Sequence, residues 1–271
     1  MSGSTPPAGP DPADAGQTVM VDRHGSVTVV TINRPEVRNA VDGPTAMALT
    51  AALRTADADE ECSVVVLTGA GGTFCAGADL KAVAAGRGNR VAPEGDGPMG
   101  PTRLVMSKPV LAAVEGHAVA GGLELALWCD LRVAADTAVF GVYCRRWGVP
   151  LVDGGTVRLP RLIGQSRAMD MILTGRSIGG REAVEFGLAN RLVAEGEALD
   201  AAIEMGRSLA AFPQRCLRSD RRSALAQWGA GEAEAMAFEV EIGLETIRSG
   251  ETRAGAARFS AGAGRHGSFG A

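Results

Sequence analysis

The run KPVLAAVEGHAVAGGLELALWCD, from Lys108 to Asp130, reads as a strand, a glycine-bearing turn and a helix in immediate succession. Pro109 to Val114 is short and wholly apolar, as expected of a strand buried on both faces of a sheet. Glu115 to Ala120 forms the turn, Gly121 to Cys129 holds helix formers, and another strand opens at Leu131. The same grammar stands upstream, where the apolar strand Val64 to Leu67 runs into the glycine-rich loop Gly69 to Gly77. Small residues in both turns let a ligand approach the backbone closely. Each turn leads into a helix, whose first amides lack intrahelical partners and favour negative charge. Two free N–H groups converging from separate turns are what an oxyanion hole requires, although tight packing alone also recruits such glycines.

Working outward, Val27 to Ile32 (VTVVTI) is a β-branched strand ended by Asn33-Arg34-Pro35. Thr45 to Ala56 has the apolar spacing of an amphipathic helix. Ala85 to Gly100 is dense in glycine and proline and reads as a mobile segment. From about Gln165 onward the pattern is helical: Glu182 to Phe186 stops at Gly187, Leu199 to Ala211 stops before Pro213, and Glu232 to Arg248 is the longest helical stretch. Apolar strands alternating with helices predict an α/β core followed by a helical C-terminal region. The expected division is a disordered tail over 1–17, a core over 18–210 and a helical region over 211–271.

Composition excludes several function classes. With 46% hydrophobic and 21% charged residues in a chain of 271, the balance is globular and needs no disulfide or metal staple. A net charge of −4 offers no footprint for nucleic acid or an anionic membrane, and no apolar run is long enough to cross a bilayer. The first residues, MSGSTPPAGPDPADAGQ, lack the basic and apolar regions of a secretory signal. Cys62, Cys75, Cys129, Cys144 and Cys216 are odd in number and widely spaced, which predicts free thiols in a reducing cytoplasm. His24, His117 and His266 are too dispersed for a metal site. No phosphate loop, dinucleotide fingerprint or Gly-x-Ser-x-Gly elbow occurs.

Three segments taken together in order are more specific than either turn alone: Asn33-Arg34-Pro35-Glu36-Val37-Arg38-Asn39-Ala40, then Phe74-Cys75-Ala76-Gly77-Ala78-Asp79-Leu80, then Lys108 to Asp130. This combination closely resembles the enoyl-CoA hydratase/isomerase (crotonase) family, with further similarity through Gly148 to Gly164 and Arg181 to Val193. The resemblance implies a crotonase-like spiral of ββα turns and a C-terminal helical region that builds homotrimers, often paired into hexamers. It implies a coenzyme A thioester as substrate, with no bound prosthetic group. The oxyanion donors would be the backbone amides of Ala78 and Gly121, and Glu124 would move protons. The turn Ala76, Gly77, Ala78, Asp79 would contact the adenine of coenzyme A. Arg38 and Lys81 are candidates for its phosphates, or are merely solvated charges.

The sequence departs from the family's hydratases at one position. Their second glutamate follows a Phe-Gly pair, and here, counting from Phe140-Gly141, that place holds Cys144. A thiol with a reference pKa near 8.5 is mostly neutral at pH 7 and a poor base. Three repairs are open: Glu124 acts alone, Asp153 supplies the missing carboxylate or merely caps a helix, or the reaction is isomerisation or decarboxylation. Cys144 itself is either a nucleophile or packing. The rival reading is a non-catalytic acyl-CoA-binding protein that kept the pocket and lost the chemistry.

Overall fold

A computed structural model describes residues 17–264, so most of the expected 1–17 tail, and the end of the C-terminal region, lie outside the described residues. The large sheet has the order β1-β2-β3-β4-β6-β9. Its strands are β1 (Val19–His24), β2 (Val27–Ile32), β3 (Val64–Gly69), β4 (Val110–Val114), β6 (Leu131–Ala135) and β9 (Arg191–Val193). Only the β1–β2 hairpin is antiparallel; the remaining pairings are parallel. The second sheet is small, with β5 (His117–Val119) between no other neighbours than β7 (Val139–Gly141), and β8 (Ser177–Gly179) on the far side of β7. The chain alternates between the sheets, β4 to β5 and β6 to β7, which is the expected spiral.

Alternation along each strand explains the unbroken apolar runs. Val64 and Val66 of β3 join Val27, Val29, Leu111 and Val133 under α7 (Ala198–Ala210), where Ala198, Ala202 and Ile203 cover them. Val65 and Leu67 point the other way, into the larger core with Leu49 and Leu53 of α1 (Gly43–Ala58). Both faces of the sheet are thus covered, so the side chains on them are mostly apolar, and a polar one such as Thr68 is hydrogen-bonded to the Ala113 carbonyl. Helix α1 starts two residues earlier than the apolar pattern indicates. Asp42 caps it, accepting from the Thr45 amide at 3.0 Å.

The structure corrects the sequence reading in three places. The supposed turn Glu115–Ala120 contains β5, and the hairpin strand β1 was not anticipated. Within Ala85–Gly100 only the first part is irregular and mainly exposed; Gly97 to Gly100 are buried, and Gly97 and Gly100 bridge each other.

The helix that carries Glu124, α3 (Gly121–Trp128), is fixed at its far end by Arg132, which is 2% exposed. Its guanidinium donates to the carbonyls of Ala126 (3.1 Å) and Cys129 (2.7 Å), satisfying acceptors that a helix C-terminus otherwise leaves bare. Beyond these lie α2 (Leu80–Ala84), α4 (Gly155–Ile163), α5 (Gln165–Thr174) and α6 (Gly180–Glu185). After the break at Ala211–Pro213 come α8 (Gln214–Ala226), α9 (Glu232–Arg248) and α10 (Glu251–Ser260), which pack chiefly on one another. Among the described residues no helix is long and apolar enough to cross a membrane, and no acid, histidine and cysteine cluster could hold a metal.

Candidate active site

The two glycine turns are stitched together by backbone hydrogen bonds. Phe74 N donates to the Glu115 carbonyl (2.8 Å), Cys75 N to His117 O (2.8 Å), and Val119 N returns to Cys75 O (3.1 Å). A Cβ built on Gly77 would lie 2.9 Å from the Gly121 nitrogen, so the first turn reaches the start of α3 at contact distance. Val41 N bonds Gly77 O (2.8 Å) and Asp79 N bonds Val41 O (2.9 Å), which brackets Ala78 and turns its own amide away from that strand. Among the described residues neither the Ala78 amide nor the Gly121 amide has an acceptor within the chain. The residue before Gly121, Ala120, has φ 52° and ψ −124°, an unusual conformation for a residue with a Cβ. Its own amide is held by Gly141 O of β7 at 2.9 Å. Strain fixed by its surroundings beside two unpaired donors is the pattern of a preorganised site.

Glu124 lies one helical turn below Gly121 on the same face and is 2% exposed. Its Oε1 accepts from the amides of Asp153 (2.9 Å) and Gly155 (2.8 Å), which fixes the carboxyl and leaves Oε2 without a partner among the described residues. Burial pushes its pKa up from 4.5 to about 7; the Gly155 amide opposes this, and the nearby Asp153 charge adds to it. A side chain at Gly155 would crowd Glu124, since a Cβ there would meet its Cγ and Oε1 at 3.0 Å.

This raised pKa has a consequence for stability. Below its ordinary 4.5 the carboxyl is protonated folded and unfolded alike, and up to about 7 only the folded chain retains the proton. Stability therefore falls as pH rises through that window, by a limit on the order of 3 kcal/mol. Glu124→Gln keeps the acceptor and removes the charge, so its melting temperature should exceed the wild type's more at pH 8 than at pH 5. An equal difference at both pH values would show that the burial cost is not there.

Asp153 is 4% exposed, and one of its two carboxylate oxygens is occupied. Oδ1 accepts from Met99 N (2.9 Å) and from the Thr102 hydroxyl, tying down the buried end of the 85–100 segment. Asp153 thus serves Glu124 through its backbone and holds Met99 through its side chain; a Cβ on Gly121 would meet Met99 Sδ at 2.6 Å. Arg158 donates to the carbonyls of Asp153 (2.9 Å) and Thr102 (2.6 Å) and closes the cluster. Cys144 sits on the 3-10 turn Tyr143–Trp147 and is 7% exposed. Burial pushes its thiol up, with the Glu124 charge adding to the effect, so the sulfur stays protonated and is a poor base and nucleophile.

The remaining site residues form a rim. Ala76 N bonds Arg38 O at 3.0 Å, which places Arg38 against the first turn, and Lys81 lies in α2 directly after it. Both side chains are exposed and neither has an acidic partner among the described residues. Asp79 differs: its carboxylate caps α2 and pairs with Arg34 at 3.0 Å, so its side chain is structural. Asn39, 0% exposed with φ 55°, donates to Ala70 O (2.8 Å) and Thr73 O (2.6 Å) and accepts from Arg34 N (2.9 Å), which pins the glycine loop. The roles of Asn39, Arg34, Met99, Thr102 and Arg158 were not read from sequence. Only the quoted Asn33 to Ala40 motif hinted at the first two.

Comparison with known proteins agrees with this geometry. The family described as "Enoyl-CoA hydratase/isomerase" matches residues 22–262. Enoyl-CoA hydratase EchA19 of Mycobacterium tuberculosis is 35% identical over 258 residues, covering 91% of this chain and 95% of that protein. Carnitinyl-CoA dehydratase of Salmonella arizonae is 38% identical over 199 residues, 71% of this chain and 74% of the relative. The crystal structure of enoyl-CoA hydratase EchA1 from Mycobacterium marinum superposes with a TM-score of 0.85 at 37% identity, over 90% of this chain and 95% of that one. On the family match over residues 22–262 and these relatives, the chain belongs to the enoyl-CoA hydratase/isomerase family.

Proposed function

We propose that the chain is a cytoplasmic enoyl-CoA hydratase-type lyase in which Glu124 is the single acid/base. One observation carries the reading: two unpartnered amides, Ala78 and Gly121, stand one helical turn from a buried carboxyl with a pKa of about 7 and one free oxygen. The thioester oxygen takes the two amides. As water adds to the β-carbon, Glu124 takes its proton, and the electron pair of the double bond moves onto the thioester oxygen as an enolate. Glu124 then gives the proton to the α-carbon. Double-bond isomerisation uses the same parts, the carboxylate removing a proton at one carbon and returning it at another. A general base works best with a pKa near the working pH, which burial of Glu124 supplies. Ala76 to Asp79 would receive the adenine end of coenzyme A through backbone, with Arg38 and Lys81 at its phosphates. Loss of the conjugated enoyl-thioester absorbance on mixing with crotonyl-CoA tests the reading; no loss over a broad panel of enoyl and β,γ-unsaturated thioesters would sink it.

A binding-only role is the second reading, favoured by the protonated, buried Cys144 where hydratases carry a carboxylate. Calorimetric binding of acyl-CoA with no turnover of any thioester would support it. Assembly into trimers or hexamers is also proposed. Met236, Val240, Leu244 and Ile247 make one exposed apolar stripe on α9, 40% to 60% accessible, of the kind that a second copy covers.

Asp153 is given a positioning role. Asp153→Asn retains an acceptor for Met99 N and Thr102, so turnover should stay within about tenfold of wild type, whereas loss of a general acid or base costs about 100-fold or more. Removing the Asp153 charge also lowers the Glu124 pKa, so the acid limb of the pH–rate profile should move to lower pH. A loss beyond 100-fold without that shift would make Asp153 the second catalytic carboxylate.

A further inference from the structure

Away from Glu124, at the other end of α3, a cavity of about 1140 Å³ opens between the core and the α8–α9 pair. Its apolar wall is built from Leu104, Leu127, Trp128, Leu225, Trp228 and Ile242. Its charge is one-sided: Arg158, Arg161, Arg215, Arg218, Arg221 and Arg222 line it, against Asp130 and Glu245. Among the described residues only Arg221 of these has a carboxylate partner, Asp130 at 2.8 Å. In a chain of net charge −4, this concentration of guanidinium groups with few carboxylate partners is local. Arg218 shows the deficit most directly, since its Nε is buried with no hydrogen-bond partner. A buried donor without an acceptor is costly, and an anionic oxygen brought by a ligand would remove that cost. Arg161 lies over the Trp228 ring at 4.6 Å, so the arginines and the apolar wall are contiguous.

We propose that this cavity binds an amphipathic anion, a fatty carboxylate whose chain lies against Trp128, Trp228 and Leu225 and whose head meets Arg218 and Arg222. The volume is at or above the ~300–1,000 Å³ of pockets that enclose small ligands. A second copy of the chain is a poorer occupant. Helical periodicity puts the exposed stripe Met236, Val240, Leu244 and Ile247 on one side of α9, and the cavity-lining Ile242, Glu245 and Thr246 on the other. Copies meeting on the stripe leave the cavity side open. The inference does not rest on the proposed reaction, and its test needs no turnover.

Two of the three tryptophans line the cavity, so intrinsic fluorescence and calorimetry of the full chain can follow binding. Dodecanoate below its micellar concentration should bind saturably and at least about tenfold more tightly than dodecanol, as a charged head on unpaired arginines requires. Arg218→Gln with Arg222→Gln should cost dodecanoate about tenfold and leave dodecanol unchanged. Leu225→Phe, which fills space, should weaken both. Equal affinity for acid and alcohol would overturn the proposal, as would dodecanoate binding that the arginine variant does not change. Absence of binding, with Trp228 protected from acrylamide quenching in proportion to oligomer formation, would assign the cavity to an interface between copies and overturn it too. The comparison of acid with alcohol uses the unaltered protein and so survives any variant that folds poorly.

Discussion

Glutamine at position 124 should lower turnover of crotonyl-CoA by about two to four orders of magnitude while leaving affinity for a saturated acyl-CoA nearly unchanged. The amide side chain still offers Oε1 to the Asp153 and Gly155 amides, so the loop 153–155 stays in place and the cavity around the thioester keeps its shape. What it cannot do is take a proton from water. Cys144 does not substitute, because burial and the Glu124 charge keep its thiol protonated. Asp153 is held through Oδ1 by Met99 N and Thr102, and Asp153→Asn reports whether its other oxygen takes part. In the wild type, kcat/KM should therefore fall tenfold per pH unit below about 7, where Glu124 takes up its proton, with the residual rate of the glutamine variant lacking that limb. Turnover unaffected by the substitution would remove Glu124 from the mechanism. An acid limb that persists in the variant would place the titrating group elsewhere.

The parts of this site that were legible in the sequence are those written by local constraint. Strands covered on both faces must be continuously apolar, so β2, β3 and β4 stand out, and a turn that another turn approaches must be glycine-rich. Glu124 was singled out by the family resemblance, and its helical spacing from Gly121 alone also fits a glutamate that merely complements the helix dipole. What stayed hidden depends on partners far apart in the chain. Arg34 and Asp79 are 45 positions apart. Met99 and Asp153 are 54 apart, and nothing local marks either residue as one half of a clamp. Strands β5, β7, β8 and β9 have three residues each, too few to show a period; the ladder, not intrinsic preference, makes them strands. Strand β1 failed for another reason. Its last four residues are exposed, so its outer half is free of the patterning that burial imposes.

Gly122→Ala should have a large structural effect on the site, and it separates the packing role of a glycine from its freedom in φ. Gly122 lies within α3, yet a Cβ there would sit 2.0 Å from the Cys75 carbonyl oxygen and 2.7 Å from its carbon. Both obstacles are backbone, and that backbone is the first turn, held at 2.8 Å to His117 O and 3.1 Å to Val119 N. The methyl can be housed only by moving α3 away from the Cys75 strand, which parts the Ala78 and Gly121 amides. Overpacking of this kind costs about 1–3 kcal/mol of stability or more. Losing the geometry of one oxyanion donor costs about 100- to 1,000-fold in kcat. Gly255 in α10 supplies the contrast: nothing lies within 4 Å of its built Cβ, so alanine there should leave turnover intact and raise stability by about 0.8 kcal/mol through helix propensity. Urea melts and crotonyl-CoA rates on both variants decide the matter. If Gly122→Ala behaved like Gly255→Ala, the two turns would not be in contact as described, and the convergence of their amides would have to be given up.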